Sequence, residues 1–559
     1  MAIQADVRET APAVADGRRR RRPGLVDSLA VVAAAAPFVV VGIWFLTQGV
    51  HVLGGDQALL ALDTFDVRRI DQAVGPYSRM GWAHPGPAWF VLLAPLYWLF
   101  GSTGEALVAA SMFVHALFAA LVVVAAGTGR RWQRPLAAAV LLLYVLRMPA
   151  IEFVNVWNPF ALLLPVALLL LVAARACAGS LPSAAATVVV GSFVVQTHVG
   201  TAPLVGLVGL VVVAALAVRA VRGRLRFARQ ERVATGLGAG LAVLMWVPPL
   251  WQQVTASAGR GNLGLLAEDL VLGEGSVEAA HTWREAVSAV GQLLGAPVYG
   301  WTALPQPVDT TLLTPAVLAA VGVQLLGSAV VVLVAVRLRA RLPAWLGAMA
   351  ATGTVAALVS AKSVTGVLHN YLILWVSVLP AVLLFAGLSL LAHLASRAPG
   401  RTRTAGAAAA TAAAVVLSVG VGASLQRAAS TQMYDHPGAA EASDLVLGAL
   451  PEPEGEDRRV LLDIREAAAW STATAVALEL EQDGYRVSVD EEWVYGFGSD
   501  RRSAGGERWQ LAFVPADPSD PTEPLDPDDL DAATAGTRLG VVAGMNGPEI
   551  LVLRELAPR

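Results

Sequence analysis

The sequence predicts a multi-pass α-helical membrane protein that ends in a small extracytoplasmic α/β domain. Three observations carry that expectation. Of 559 residues, 56% are hydrophobic and only 15% charged, whereas a soluble domain carries about 25% charged residues. The apolar residues gather in runs about as long as a bilayer is thick. Only the last quarter departs from this, alternating short strand-like and helix-like patterns. A soluble globular enzyme is thereby excluded. A nucleic-acid-binding protein is excluded as well, because the formal net charge is −3 and the basic residues gather in short loops instead of forming a basic surface. The single cysteine, Cys177, rules out an intrachain disulfide.

The polar start of the chain closes on five consecutive arginines, Arg18 to Arg22, and an apolar run follows over 26–50. That run is longer than a signal-peptide core and reads as an uncleaved first span. The arginines hold residues 1–25 as a cytoplasmic tail. Further runs centre on 104–126, 136–153, 159–176, 184–197, 201–218, 234–250, 315–336, 344–361, 371–394 and 404–425, giving about eleven spans. With eleven, four arginine-bearing loops fall on the same side as the N-terminus. These are the loops of Arg130 and Arg131, of Arg219 to Arg232, of Arg337 to Arg341, and of Arg397 to Arg403. This is the sidedness that positively charged loops require, and the odd count puts the C-terminus outside. The apolar stretch 88–100 is too short to span and reads as an interfacial amphipathic helix; the alternative is a short tilted span. The membrane domain is thus 26–430, with outside loops at 49–103 and 252–313. Residues 431–559 form the outer α/β domain, with strands expected at 458–464, 485–493, 509–515, 539–544 and 549–556 and a helix over 465–484 ended by Gly484.

The first outside loop holds most of the candidate chemistry. Asp56 follows Gly54 and Gly55 just beyond the first span, and Asp63 and Asp66 recur from it at helical spacing. A carboxylate there can accept a proton from an attacking hydroxyl or hold a metal, or it can simply cap a helix. Tyr77, Arg79, Trp82 and His84 mix rings with hydrogen-bonding groups, as a sugar-facing surface does, and each can equally be a packed loop residue. Lys362 is the only lysine among 40 basic residues, and it falls at the outer end of a late span. A cation there breaks the positive-inside pattern. It is tolerable if it faces a cavity and pairs with a lipid phosphate, or if it snorkels to the headgroups. Arg147 sits inside an apolar run, with Glu152 or a phosphate as its expected partner. His115 and His393 read as satisfied structural histidines. No His/Cys set has zinc spacing, and there is no phosphate-cradling glycine loop.

Together these features resemble the GT-C glycosyltransferases, most closely the group of protein O-mannosyltransferases and the lipid A aminoarabinose transferase. The residues that carry the resemblance are the early Gly55-Asp56, the His84-Pro85-Gly86-Pro87 that leads into the aromatic stretch ending Leu99-Phe100-Gly101, Trp157-Asn158-Pro159, Gln196-Thr197-His198-Val199-Gly200, and Ser360-Ala361-Lys362-Ser363 with Tyr371. Asn158 departs from the acidic residue usual before that proline, and His198 stands where relatives carry lysine. The near-exclusive use of arginine with abundant Ala, Gly and Val resembles actinobacterial codon bias.

The resemblance implies an inverting transferase that moves a sugar from a polyprenyl-phosphate donor, mannose or arabinose being the expected sugars, to a cell-envelope acceptor on the outer face of the plasma membrane. Asp56 is then the catalytic base. Lys362, His198, Arg147 and Tyr371 hold the donor phosphate. Asp63, Tyr77, Arg79, Trp82, His84 and Asn158 face the acceptor. No cofactor is implied, a divalent metal being the one candidate, and membrane lipid is an expected partner. Two other readings are a transporter or lipid flippase, which predicts matching halves and broken mid-membrane helices, and a non-catalytic scaffold whose outer domain binds a partner.

Overall fold

The computed structural model describes residues 24–49, 52–69, 72–78, 80–127, 130–223, 229–256, 261–269, 279–299, 306–395, 400–431, 436–453 and 458–556. The five-arginine tract expected to fix the N-terminus inside lies outside them. From the N-terminus the helices are α1 (Leu25–Phe45), α2 (Gly55–Asp66), α3 (Ala88–Leu99), α4 (Gly104–Ala126), α5 (Gln133–Arg147), α6 (Ile151–Val154), α7 (Leu163–Cys177), α8 (Leu181–Thr197), α9 (Ala202–Val221), α10 (Arg229–Thr255), α11 (Asn262–Ala267), α12 (Trp283–Tyr299), α13 (Pro315–Arg337), α14 (Arg341–Ser363), α15 (Leu379–Ala395), α16 (Gly400–Ala429), α17 (Pro437–Ala449) and α18 (Trp470–Asp483).

Among the described residues, nine helices are long and apolar enough to cross a bilayer. Two more, α5 and α8, are shorter, at 15 and 17 residues, or about 22 and 26 Å of rise. Counted with the nine, these two would bring the number to the eleven that the sequence predicts. The protein is a multi-pass membrane protein. Its central helix, α7, is buried along almost its whole length. By contrast, α9, α10 and α13 turn Leu210, Val213, Leu237, Val243, Val323 and Leu326 outward, each more than 60% exposed. Water would penalise such a surface, and lipid does not.

The arginine loops meet at one end of the bundle. Arg134 reaches Asp27 at the start of α1 (3.7 Å). Arg175 donates to the carbonyls of Ala125 and Gly127 (2.6 and 2.8 Å), and Arg130 bonds to His393 (3.0 Å). At the opposite end lie α2, α3, α11, α12 and the C-terminal domain.

That domain is a five-stranded mixed sheet in the order β2-β1-β3-β5-β4, built from β1 (Arg459–Ile464), β2 (Arg486–Val489), β3 (Trp509–Pro515), β4 (Thr537–Gly544) and β5 (Gly547–Glu555). β1 pairs in parallel with β2 and β3, while β5 pairs antiparallel with β3 and β4. The β1-α18-β2 unit is the strand-helix-strand that the alternation predicts, and α18 ends at Gly484 in the left-handed conformation.

Two regions differ from expectation. The second loop holds a 17-residue helix, α12, whose Ser288 and Gln292 donate to the carbonyls of Leu312 and Asp309 (2.7 and 2.8 Å). The interfacial helix α3 is not amphipathic: it is apolar all round, and Trp89, Phe90, Leu93 and Tyr97 are wholly enclosed. The C-terminal domain covers it, with Gln482 donating to the Tyr97 hydroxyl and the Ser102 carbonyl (3.0 and 2.9 Å).

Between α2 and the sheet domain lies a buried cluster of charges. Arg501 is 4% exposed and donates to Asp66; its Nε lies 3.7 Å from Glu481, which also accepts from Arg69 at 2.5 Å. Burial alone would lower the Arg501 pKa, but Asp66, Asp500, Glu481 and Asp63 together raise it above its ordinary value. Replacing Arg501 with methionine leaves Asp66 and Glu481 buried without their central counter-charge, at an expected cost of about 3–5 kcal/mol. The loss is expected in thermal unfolding, together with earlier proteolytic release of the C-terminal domain.

Candidate functional site

The chain leaves α1 and turns at Gly54 and Gly55. A Cβ on Gly54 would stand 2.5 Å from Ser471 Oγ and 2.8 Å from the His436 ring, and Gly55 has φ +58°. The two glycines therefore let the C-terminal domain close directly onto the start of α2. Gly54 is the N-cap, so Asp56 is not a cap: it lies in the first turn, where the free N–H groups favour a carboxylate.

Asp56 accepts a short hydrogen bond from the Tyr77 hydroxyl and another from the Trp470 side chain, across the whole length of the chain. Burial raises its pKa above the usual carboxylate range, and these two hydrogen bonds pull in the opposite direction. The Tyr77 phenol is held well above its own ordinary pKa, first by burial and then by the Asp56 charge, with Tyr495 and Tyr371 reinforcing. Tyr77 meets Trp470 and Tyr495 edge to face at 6.1 and 5.9 Å. Trp470 in turn stacks on Trp493 and Tyr495. Tyr495 remains 42% exposed.

Tyr77 is held by a small hairpin. Gly75 donates to the His84 carbonyl (2.9 Å), His84 to that of Pro76 (2.8 Å) and Ser78 to that of Trp82 (3.0 Å). Asn262 of α11 clamps Ala83 from both backbone groups (2.8 and 2.9 Å). The hairpin carries His84 inward, where its Nδ1 accepts from the Val199 amide (3.2 Å) and its ring lies 4.6 Å from that of His198. His198 Nδ1 accepts from Gly200 (3.1 Å). Each ring nitrogen that accepts carries no proton, so each neutral imidazole presents Nε2–H. Burial, then the neighbouring His198, hold the His84 pKa well below its usual value. Asn158 is buried and donates to the Thr197 carbonyl (2.9 Å). Its neighbour Trp157 packs at 4.6 Å from Tyr371, which stacks on His369. Asp56, Tyr77, His84, Asn158, His198 and Tyr371 thus gather at one end of the bundle under Trp470 and Tyr495.

The other candidates are held by different partners. Lys362, at the end of α14, sits over the Trp283 ring of α12 (5.6 Å), and no carboxylate pairs with it among the described residues. Arg147 is exposed and donates to the carbonyls of Pro297 and Val298 (3.1 and 2.7 Å). It thus stabilises the end of α12 and is not paired with Glu152. Asp63 belongs to the Arg501 cluster; loss of water lifts its pKa well above the usual range against the opposing charge of Arg501. Trp82 donates to Asp269 (2.7 Å). Arg79 lies outside the described residues. His115 is buried with neither ring nitrogen hydrogen-bonded, against the expectation of a satisfied histidine. Among the described residues, no three of His, Cys, Asp and Glu gather as a metal site. Trp470, Tyr495 and Arg501 went unseen in the sequence; the only trace of them is the aromatic density of Glu491-Glu492-Trp493-Val494-Tyr495-Gly496-Phe497.

No family model matches the sequence, and no curated protein matches it. Among solved structures, the chain is similar to ArnT from Cupriavidus metallidurans bound to undecaprenyl phosphate. The TM-score is 0.56 at 15% identity, over 94% of this chain and 97% of that one. ArnT in its apo state gives 0.55 at the same identity and coverage. The chain shares the fold of these ArnT structures. The likeness spans membrane bundle and C-terminal domain alike, since nearly all of both chains is matched.

Tyr77→Phe removes a hydrogen bond to the Asp56 carboxylate, a contact of about 1.5–3 kcal/mol. The carboxylate is the proton-accepting form, and its folded pKa is already raised, so any activity that uses it falls as pH drops through that value. Without the Tyr77 hydroxyl this acidic limb moves to higher pH, which a pH–rate profile or a direct titration of Asp56 measures.

Proposed function

We propose that the protein is a membrane glycosyltransferase that moves a sugar from a polyprenyl-phosphate donor to a cell-envelope acceptor on the face opposite the arginine loops, the outer face of the plasma membrane. One observation carries the reading most directly. In a fold shared with a protein solved with undecaprenyl phosphate, a carboxylate with a raised pKa stands in the first turn of α2, partly accessible and ringed by aromatic side chains.

Asp56 takes the proton from the acceptor hydroxyl as its oxygen attacks the anomeric carbon. The bond from that carbon to the phosphate oxygen breaks, and the polyprenyl phosphate leaves with the bonding electrons. Attack opposite the leaving group inverts the centre. A pKa lifted toward the working pH makes Asp56 a better base than an exposed aspartate. Lys362 and the Nε2–H groups of His198 and His84 are the cation and neutral donors for the phosphate, and Tyr371 adds a phenol beside them. Stabilising that departing charge is the step in which such preorganised donors contribute most. Arg147, committed to α12, has no direct part. The exposed Tyr495 ring, stacked on Trp470 and close enough to Asp56 to feel its charge, offers the acceptor a flat surface beside the base. Mannose and arabinose are the donors to test first, and the glycan, lipid or protein nature of the acceptor follows from the product.

In membranes, Asp56→Asn is expected to lower transfer of labelled sugar from polyprenyl-phosphate mannose or arabinose by at least about a hundredfold, with expression and thermal stability kept. Lys362→Gln should raise the KM for the donor more than it lowers kcat. Transfer unaffected by Asp56→Asn would remove the mechanism. Movement of labelled lipid across vesicles without transfer would favour the transporter reading.

A further inference from the structure

At the end of the bundle away from Asp56, a cavity of about 210 Å³ opens between the α4–α5 turn, the α13–α14 turn and α15. Arg130, Arg339 and Arg341 line it, together with Gln133, His393 and Ser389. No carboxylate lines it. Three solvent-exposed guanidinium groups around one open cavity make it favourable to an anion.

The backbone adds to this. α5 begins at Gln133 and α14 at Arg341, and their first residues line the cavity. Neither N-cap, Trp132 or Ala340, provides a side-chain hydrogen bond. The two helix starts therefore bring the positive ends of their dipoles to the same place. Arg339 has φ +56°, in the region that normally favours glycine, yet an arginine holds the position.

A second, independent observation comes from α15. Ser389 is 1% exposed, lines the cavity, and its hydroxyl has no hydrogen-bond partner. A buried hydroxyl left unpaired costs free energy; an oxygen-rich anion in the cavity supplies the missing acceptor. His393, on the cavity wall, accepts from Arg130 at Nδ1.

We infer that this cavity is a phosphate-binding site separate from the Asp56 site, formed by Arg130, Arg339, Arg341, Ser389 and the N-termini of α5 and α14. The anion is a phosphate ester or free phosphate. Its place among arginine loops at the bundle end, where apolar helices give way to charged turns, suits the headgroup of an anionic phospholipid held at the membrane surface.

The test uses the full-length protein reconstituted with equal amounts of phosphatidylglycerol and phosphatidylcholine, with the lipid retained after purification read by native mass spectrometry. The wild type is expected to keep phosphatidylglycerol preferentially. The double variant Arg339→Gln/Arg341→Gln should lose that preference by about tenfold or more. Ser389→Ala, which removes a hydroxyl and no charge, should weaken it to a smaller degree and serves if the double variant fails to fold. If inorganic phosphate raises the wild-type melting temperature and not that of the variants, without any lipid preference, the site stands and its occupant is the free anion. A preference unchanged in all variants, or no effect of either probe, overturns the proposal.

Discussion

One guanidinium holds the two halves of the molecule in register. Arg501 belongs to the sheet domain, but its partners are divided: Asp66 and Asp63 lie on α2, and Glu481 lies on α18. Removing such charges from water is costly unless each finds its counterpart. The cluster therefore tolerates one arrangement of α2 against α18 and strongly disfavours slipped ones. The Gly54–Gly55 turn permits the same close approach by sterics. With α18 fixed in this way, Trp470 at its start reaches Asp56, and Gln482 near its end reaches Tyr97 of α3.

The electrostatics at Asp56 are a balance of opposed effects. Partial burial raises the pKa, while Tyr77, Trp470 and the start of α2 favour the charged form. The result is a carboxylate held above the usual carboxylate range, with a greater appetite for a proton than an exposed aspartate. The two histidines below it are arranged differently: both accept a backbone amide at Nδ1, so their tautomer is set by the main chain. The site thus combines a tunable base with neutral donors of fixed orientation.

Most of the architecture was legible because bilayer thickness imposes a length on apolar runs. The strands of the C-terminal domain were legible from alternation, to within a residue or two at their ends except for the second, which stops at Val489. The helix α12 was not, because it is set within a long loop rich in polar residues and glycine. Asp56 could be found from its place after a glycine pair beyond the first span. Trp470 and Tyr495 could not: a contact between opposite ends of a chain leaves no spacing to read. The helical recurrence of Asp63 and Asp66 was visible, yet it pointed to the loop surface, since nothing in the sequence identified Arg501 as the buried cation that holds them. Arg147 was conspicuous as a charge in an apolar run, and the carbonyls at the end of α12 that engage it carry no sequence signature.

The pairing of Asp56 with Trp470 also sets an order of events during synthesis. The carboxylate emerges from the ribosome early and its indole partner late, with every described long apolar helix but α1 in between. Until α18 has docked, Asp56 has neither the Trp470 hydrogen bond nor the cover of the sheet domain. A chain cut short before α18 contains every described long apolar helix, yet its carboxylate keeps only the Tyr77 hydrogen bond.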